Sequence, residues 1–268
     1  MYETFFGLAR KPFSASPDPS MYVASPATER IMKRLVYAAR ENTGGFLLTG
    51  PAGCGKTLLL EKLATGSAAS LEFLFIRAGK MDGNALAAAL LRAAGLVASD
   101  PYDRNAAMHN FGKYLLGKAG SGKHFAILID GGEWVDNDGL TVLEMLNDLR
   151  RDGTFLATFI LAGREDLARR TMSLPGLRDR FTLSARVEPL DAESCFAYVR
   201  TRLSAAGGSA DIIADDALGE VFMYSKGIPR RINRVCDLAL LTAFGLEKER
   251  VDAEVMEAVL EELAESPV

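Results

Sequence analysis

Along the first two thirds of the chain, short apolar runs alternate with stretches whose apolar residues recur every three or four positions. The runs are 45–49, 72–77, 125–130 and 155–162, each ending near a Gly, an Asp or a polar turn. A strand buried on both faces needs a continuous run of this kind. Between the runs, 57–64, 84–94, 104–118 and 140–150 read as helices, and a fifth strand fits 181–187. An earlier helix fits 27–41, with Ile31, Leu35, Ala38 and Ala39 at helical spacing and Arg30, Lys33 and Arg34 on other faces. This alternation predicts an α/β fold, a five-stranded parallel sheet with helices on both faces. After Pro189 the pattern changes: 191–264 reads as helices only, with turns at Gly207-Gly208, at Gly227-Ile228-Pro229 and at Gly245. The first 26 residues instead concentrate aromatics and prolines: Phe5, Phe6, Pro12, Phe13, Pro17, Pro19, Tyr22 and Pro26. Proline at this density disfavours regular helix. The aromatics predict an ordered segment packed on the rest of the chain. The expected organisation is an aromatic and proline-rich segment (1–26), an α/β domain (27–189) and a small all-helical domain (190–268).

Composition narrows the class. The 268 residues are 49% hydrophobic and 25% charged, ordinary for a globular protein that can bury a sizeable core. The net charge of −4 argues against a general nucleic-acid coat, which would be strongly basic. Cys54, Cys195 and Cys236 are odd in number and lack C-x-x-C spacing, so reduced thiols and no structural zinc are expected. Residues 1–10 lack the basic and apolar regions of a signal peptide, and no apolar stretch approaches membrane-spanning length. The expectation is a cytoplasmic protein, with any recruitment to the inner membrane made through a partner.

The most specific signal is Gly50-Pro51-Ala52-Gly53-Cys54-Gly55-Lys56-Thr57, which fits G-x-x-x-x-G-K-[ST]. It lies between an apolar strand and an apolar helix, the context that separates a phosphate-binding loop from a chance glycine-rich turn. The glycines let the backbone curl so that successive N–H groups face phosphate. Lys56 reaches the β- and γ-phosphates, and the Thr57 hydroxyl serves Mg²⁺. Leu58 closes the nucleotide-contacting stretch. Cys54 reads as a small loop residue rather than a redox switch. Such a site needs an acid at the end of a neighbouring strand. Asp130, closing 124–130, supplies it, and metal contact is favoured over a plain strand-end cap. Glu133 is the next carboxylate, three positions on, and Gly131-Gly132 offers a bend that would bring it back to orient water; the alternative is a solvated loop Glu. Arg164 follows 155–163, where a polar residue senses the γ-phosphate. Arg178 and Arg180 precede the last strand, where an arginine finger reaches a neighbouring subunit; a solvated surface arginine is the competing reading for each. Arg230 and Arg231, in the helical domain, are placed to couple nucleotide state to domain angle.

Several segments resemble one family. Met1-Tyr2-Glu3-Thr4-Phe5-Phe6-Gly7-Leu8, Lys11-Pro12-Phe13 and Pro17-Asp18-Pro19 look like the opening of the ExeA/GspA-type AAA+ ATPases, the general secretion pathway protein A family and its relatives, which include ATPases linked to pilus biogenesis and to exopolysaccharide or exosortase loci. Leu161-Ala162-Gly163-Arg164-Glu165-Asp166-Leu167 resembles that family's sensor segment, and Leu177-Arg178-Asp179-Arg180-Phe181 its arginine-finger segment. Glu188-Pro189-Leu190 and 227–233 resemble its domain junction and second sensor. The resemblance implies a P-loop AAA+ core with a helical lid, ATP and Mg²⁺ as ligands, hydrolysis, and a homo-oligomer formed on nucleotide. It also implies a protein partner in an envelope secretion or export machine. By resemblance, Arg230 is the second-sensor arginine, Arg180 the finger, and Pro12-Phe13 part of the wall beside adenine, with residues 1–26 expected to pack near the nucleotide.

Two positions depart from that pattern. The family's strand ends Asp-Glu-Ala-Gln where this chain has Asp130-Gly131-Gly132-Glu133, and a Gln stands where Arg164 is. Both changes touch the hydrolytic water and leave phosphate binding intact, so turnover is expected to be slow or absent. A glutamate at position 131 is expected to raise turnover if the missing carboxylate limits it. Secretion members also carry a membrane span and a periplasmic cell-wall-binding region; the chain has neither and is expected to be a fragment or a shorter relative. Two other functions stay open: a nucleotide-gated scaffold with little hydrolysis, and an ATP-dependent DNA-binding regulator of the transposition type, which shares the core and the G-x-P-R motif. For the latter, Arg150, Arg151, Arg169, Arg170 and Arg178 are candidates for a basic strip, a reading the net charge does not favour.

Overall fold

A computed structural model describes residues 1–66, 71–97, 100, 103–120 and 123–265. The chain divides into two compact units. One comprises Pro26–Ala52 with Leu59–Val187, the other Met1–Ser25, Gly53–Leu58 and Glu188–Val268.

The first unit is built on a parallel sheet of β1 (Gly45–Thr49), β2 (Leu71–Arg77), β3 (His124–Asp130), β6 (Ala157–Gly163) and β7 (Leu183–Arg186), in the order β2-β3-β6-β1-β7. The central strands β1 and β6 are buried along their whole length, as their unbroken apolar runs require. The edge strands β2 and β7 are buried only in part. Helix α2 (Pro26–Arg40) buries Ile31, Leu35, Ala38 and Ala39, the stripe its spacing predicts. The buried Thr158 hydroxyl of β6 donates to its Ala38 carbonyl at 3.0 Å, so a polar residue enters the core with its hydrogen bond made. Three further helices start on aspartate caps: Asp82 before α4 (Gly83–Ala93), Asp103 before α5 (Arg104–Ala119) and Asp136 before α6 (Asn137–Asn147). The helix α3 (Lys56–Thr65) follows the phosphate-type loop.

Three expectations are corrected here. The helix expected over 140–150 starts earlier, behind its Asp136 cap, and ends at Asn147. Beyond it, β4 (Arg150–Arg151) and β5 (Thr154–Phe155) form an antiparallel hairpin. Asp152 and Gly153 make its turn at φ +51° and +80°, the left-handed pair that a two-residue hairpin loop demands. The strand expected over 155–162 therefore splits, with Phe155 in the hairpin and β6 starting at Ala157. Beyond β6, α7 (Glu165–Ser173) and α8 (Pro175–Arg180) occupy a stretch to which the sequence pattern assigned no helix, and the last strand starts only at Leu183.

The second unit packs α9 (Ala192–Ala205), α10 (Asp215–Ser225), α11 (Pro229–Gly245) and α12 (Ala253–Glu265). Its core takes in the N-terminal segment, which carries a one-turn helix α1 (Tyr2–Phe5) and a 3₁₀ turn at Pro19–Met21. Tyr2, Leu8, Phe13 and Met21 are buried against residues such as Val199, Leu203, Ile232 and Val235. Polar contacts fix the same segment. The buried Arg202 donates to the carbonyls of Pro12 (2.7 Å) and Met21 (3.3 Å), and Asn233 donates to that of Ser14 (3.2 Å). The Tyr2 hydroxyl donates to Asp237. Burial and the adjacent Asp237 carboxylate push that phenol well above its ordinary range. Among the described residues no helix is long and apolar enough to cross a membrane.

Candidate functional site

The loop after β1 is shaped by its glycines. Gly50 has φ +150°, and a Cβ there would lie 2.3 Å from the Val187 carbonyl oxygen, so only glycine lets β1 turn at that point. Gly53 (φ +86°) and Gly55 (φ +94°) are left-handed. A Cβ on Gly53 would stand 2.9 Å from the Arg230 Cβ, and the Arg230 N–H donates to the Gly53 carbonyl at 3.2 Å. Arg230, chosen from sequence for its charge, thus also holds the loop through its backbone. Nothing crowds Gly55, whose dihedral alone requires glycine. Lys56 opens α3 and is only 9% exposed; Cys54 is buried. A loop of left-handed glycines running into a helix N-terminus favours an anion.

At the sheet edge, Thr49 pairs in register with Gly163, and Asp130 with Ala162, so β1, β6 and β3 end at one level. Asp130, half-buried, closes β3 there. Gly131 then turns the chain at φ +86°, its N–H donating to the Ala162 carbonyl at 3.0 Å, and Gly132–Trp134 forms a 3₁₀ turn. A Cβ on Gly131 would lie 2.8 Å from the Ala78 carbonyl oxygen, and one on Gly132 2.7 Å from Leu161. Gly131 is therefore a requirement of the backbone and Gly132 one of packing against Leu161, and position 131 does not accept a glutamate without strain, contrary to the simple substitution the sequence suggested. The turn carries the Glu133 side chain back to the end of β6. Its carboxylate is 14% exposed, with Oε1 3.3 Å from Arg164 Nε, while Oε2 is buried with no hydrogen-bond partner among the described residues. A Cβ on Gly163 would come within 2.8 Å of that Oε2, so the glycine leaves room for the acid. The Arg164 guanidinium also faces the Trp134 ring, 5.9 Å from its centre.

This architecture matches that of known proteins. A family model described as AAA domain matches residues 39–171. Residues 39–171 thus carry an AAA domain, and the chain has the AAA+ P-loop fold. General secretion pathway protein A of Aeromonas hydrophila is a relative, 32% identical over 257 residues that cover 94% of this chain and 46% of that protein. The chain thus spans under half the length of this curated relative. Among solved structures, Cdc6p from Pyrobaculum aerophilum superposes with a TM-score of 0.75 at 16% identity, covering 92% of this chain and 70% of that one. The Aeropyrum pernix ORC1 protein, solved in complex with DNA, gives 0.73 at 16% identity, covering 95% and 69%. These two share the AAA+ fold; the likeness to the secretion protein reaches into sequence.

The remaining candidates find their partners within their own units. Arg180 ends α8 with its guanidinium on both Asp148 carboxylate oxygens and on the Gly176 carbonyl (2.5 Å), with Glu144 at 3.8 Å. That bond holds the Asp148 carboxyl below its ordinary range. Arg178 is more exposed, beside Asp179. Phe13 is 1% exposed in the helical unit's core, and the Pro12 carbonyl is bonded by Arg202. Phe13 and Arg230 line a cleft of about 870 Å³ in that unit, with Lys11, Arg231, Arg234 and Asp237. Of the suggested basic strip, Arg150 stacks on Phe155, Arg151 pairs with Asp152, Arg178 with Asp179, and Arg170 is bonded to backbone; Arg169 is exposed. Arg170 is the residue sequence reasoning misassigned. No local signal marks it, because its partners lie 33–37 positions away.

Proposed function

We propose that the chain binds Mg-ATP and hydrolyses it slowly, as the nucleotide-driven component of a bacterial envelope secretion or export assembly. The single observation that carries the first part is the loop from Gly50 to Thr57, whose three left-handed glycines run directly into α3. In this reading Gly50, Pro51, Ala52, Gly53, Cys54 and Gly55 wrap the phosphates with backbone, Lys56 neutralises them, and Leu58 follows in the first turn of α3. Mg²⁺ fits the donors available: the Thr57 hydroxyl and the Asp130 carboxylate are hard oxygen ligands of the kind it takes. Bound with ATP, it neutralises charge on the β- and γ-phosphates. Pro12 and Phe13 are assigned to the adenine side and Arg230 to sensing the γ-phosphate.

For hydrolysis, Glu133 is the acceptor. The attacking water forms a bond to the γ-phosphorus, and its proton passes to the carboxylate. The bridging P–O bond breaks with its electron pair going to ADP. The buried Oε2 without a hydrogen bond supports Glu133 as that acceptor. Its other oxygen lies against Arg164, and a carboxylate already neutralised by a cation is a weaker base, which supports slow turnover. The same pair favours a second reading, a nucleotide-gated scaffold that binds ATP and barely cleaves it. Arg180 is assigned to a neighbouring subunit's site in a homo-oligomer formed on ATP, on the cytoplasmic side. The likeness to general secretion pathway protein A supports the envelope partner. A DNA-binding role is disfavoured by the net charge of −4 and by the arginines already engaged.

The test is steady-state phosphate release and ATP binding for the wild type and Glu133→Gln. Binding in both with turnover in the wild type alone supports the ATPase. Binding with no turnover in either selects the scaffold, and no binding in either removes both.

A further inference from the structure

Arg170 lies on α7, the helix that leaves β6, and its guanidinium points at the turn after β3. One terminal nitrogen donates to the Glu133 carbonyl at 3.2 Å; the other donates to the Val135 carbonyl at 2.5 Å and to Asn137 Oδ1 at 3.2 Å. Among the described residues it meets no carboxylate: its fork is spent on the main-chain carbonyls flanking Trp134 and on the Asn137 amide oxygen. The first carbonyl belongs to a 3₁₀ turn and the second to its C-cap, and so short an element, with poor internal hydrogen bonding, needs outside support. Arg164, six residues earlier, holds the Glu133 side chain from the same strand-to-helix junction. The turn is thus gripped twice from β6 and α7, at its backbone by Arg170 and at its carboxylate by Arg164.

We propose that Arg170 is a positioning residue for hydrolysis, fixing the Gly132–Trp134 turn so that Glu133 Oε2 stays aimed where water is to be oriented. The proposal rests on the reading of Glu133 as the proton acceptor. A planar five-donor fork suits this task, because one side chain can satisfy three acceptors in fixed directions. Lysine in its place supplies a charge and no fork.

The experiment compares wild type, Arg170→Met, Arg170→Lys, Glu133→Gln and the Arg170→Met/Glu133→Gln double variant. Arg170→Met should lower kcat roughly tenfold to a hundredfold, the scale of a misplacement of about 1 Å, with KM for ATP within about twofold. Arg170→Lys should recover little of it. In the double variant the methionine should add nothing to the loss from Glu133→Gln, because the arginine acts only through the acid. An unchanged kcat in Arg170→Met overturns the proposal, and so do losses that multiply in the double variant. Trp134, the only tryptophan, gives a readout that needs neither turnover nor nucleotide. Its anisotropy decay should show a freed indole in Arg170→Met. An indole held as in the wild type overturns the proposal, even where Glu133→Gln with wild-type turnover has already removed the water reading itself. Unchanged far-UV circular dichroism separates a loosened turn from a lost fold.

Discussion

The phosphate loop was legible residue by residue because its chemistry is local. Glycines at fixed spacing, a lysine and a hydroxyl need no distant partner to be recognised, and each glycine takes the backbone shape expected of it. Lys56→Ala should accordingly weaken ATP binding by about tenfold to a hundredfold, the worth of a charge-assisted contact, as measured by calorimetry. Unchanged affinity would remove the loop from the site. The sheet edge was legible only in part. That Glu133 returns to the end of β6 follows from Gly131 and Gly132, which were visible, but its meeting with Arg164 joins residues 31 positions apart and required the fold. The same geometry changes what a substitution at Gly131 tests. A glutamate there would adopt φ +86° with its Cβ against the Ala78 carbonyl. Gly131→Glu should therefore destabilise the protein by roughly 1–3 kcal/mol and should not gain turnover. Chemical denaturation and phosphate release on the same sample check both halves; a stable, faster enzyme would show that the turn can relax.

At the scale of elements, the buried strands and the amphipathic helix α2 were readable because burial on two faces and burial on one face leave different periods in the sequence. The hairpin β4–β5 was overlooked because its strands are two residues each, too short to show alternation; its turn residues Asp152-Gly153 were the available signal. The aromatic N-terminal segment was expected to pack near the nucleotide, but nothing local named the residues that hold it. Its anchor is Arg202, about 190 positions on, buried to 4% exposure with its hydrogen bonds to the Pro12 and Met21 carbonyls. Arg202→Met would leave those carbonyls buried and unpaired, at a cost of about 1–3 kcal/mol. Thermal melting should fall by roughly 2–12 °C, with residues 1–25 becoming the first site of limited proteolysis. Unchanged melting and cleavage would mean that the apolar contacts of Tyr2, Leu8 and Phe13 suffice. The cysteines report on the same unit. Burial pushes the Cys195 thiol up to about 11 and holds Cys236 well above the ordinary thiol range, so at pH 8 almost no thiolate exists in the folded unit. Native protein at that pH should leave both unalkylated by iodoacetamide while the unfolded chain reacts, and rapid labelling of the native form would reveal frequent opening of the helical unit.

At the scale of the whole molecule, the question is whether turnover depends on a second copy. The finger assignment of Arg180 meets a competitor inside its own chain, since the Asp148 carboxylate and the Gly176 carbonyl already take its guanidinium. Such a partly exposed pair contributes little, about 0.2–1 kcal/mol, so a neighbour's phosphate can compete with it. If Arg180 acts across subunits, ATP turnover per chain must rise with protein concentration, and Arg180→Ala must flatten that rise without changing the dilute rate. Asp148→Asn removes the competing charge while keeping the side chain's size. It should lower the concentration for half-maximal turnover by up to about fivefold, the same 0.2–1 kcal/mol expressed as an equilibrium. Mass photometry in ATP, with the wild type without nucleotide as the reference, should show the larger species appearing over the same range. Curves that coincide for wild type, Arg180→Ala and Asp148→Asn would tie Arg180 to α6 as a structural residue and pass the finger assignment to Arg178, whose guanidinium has only the adjacent Asp179 to leave.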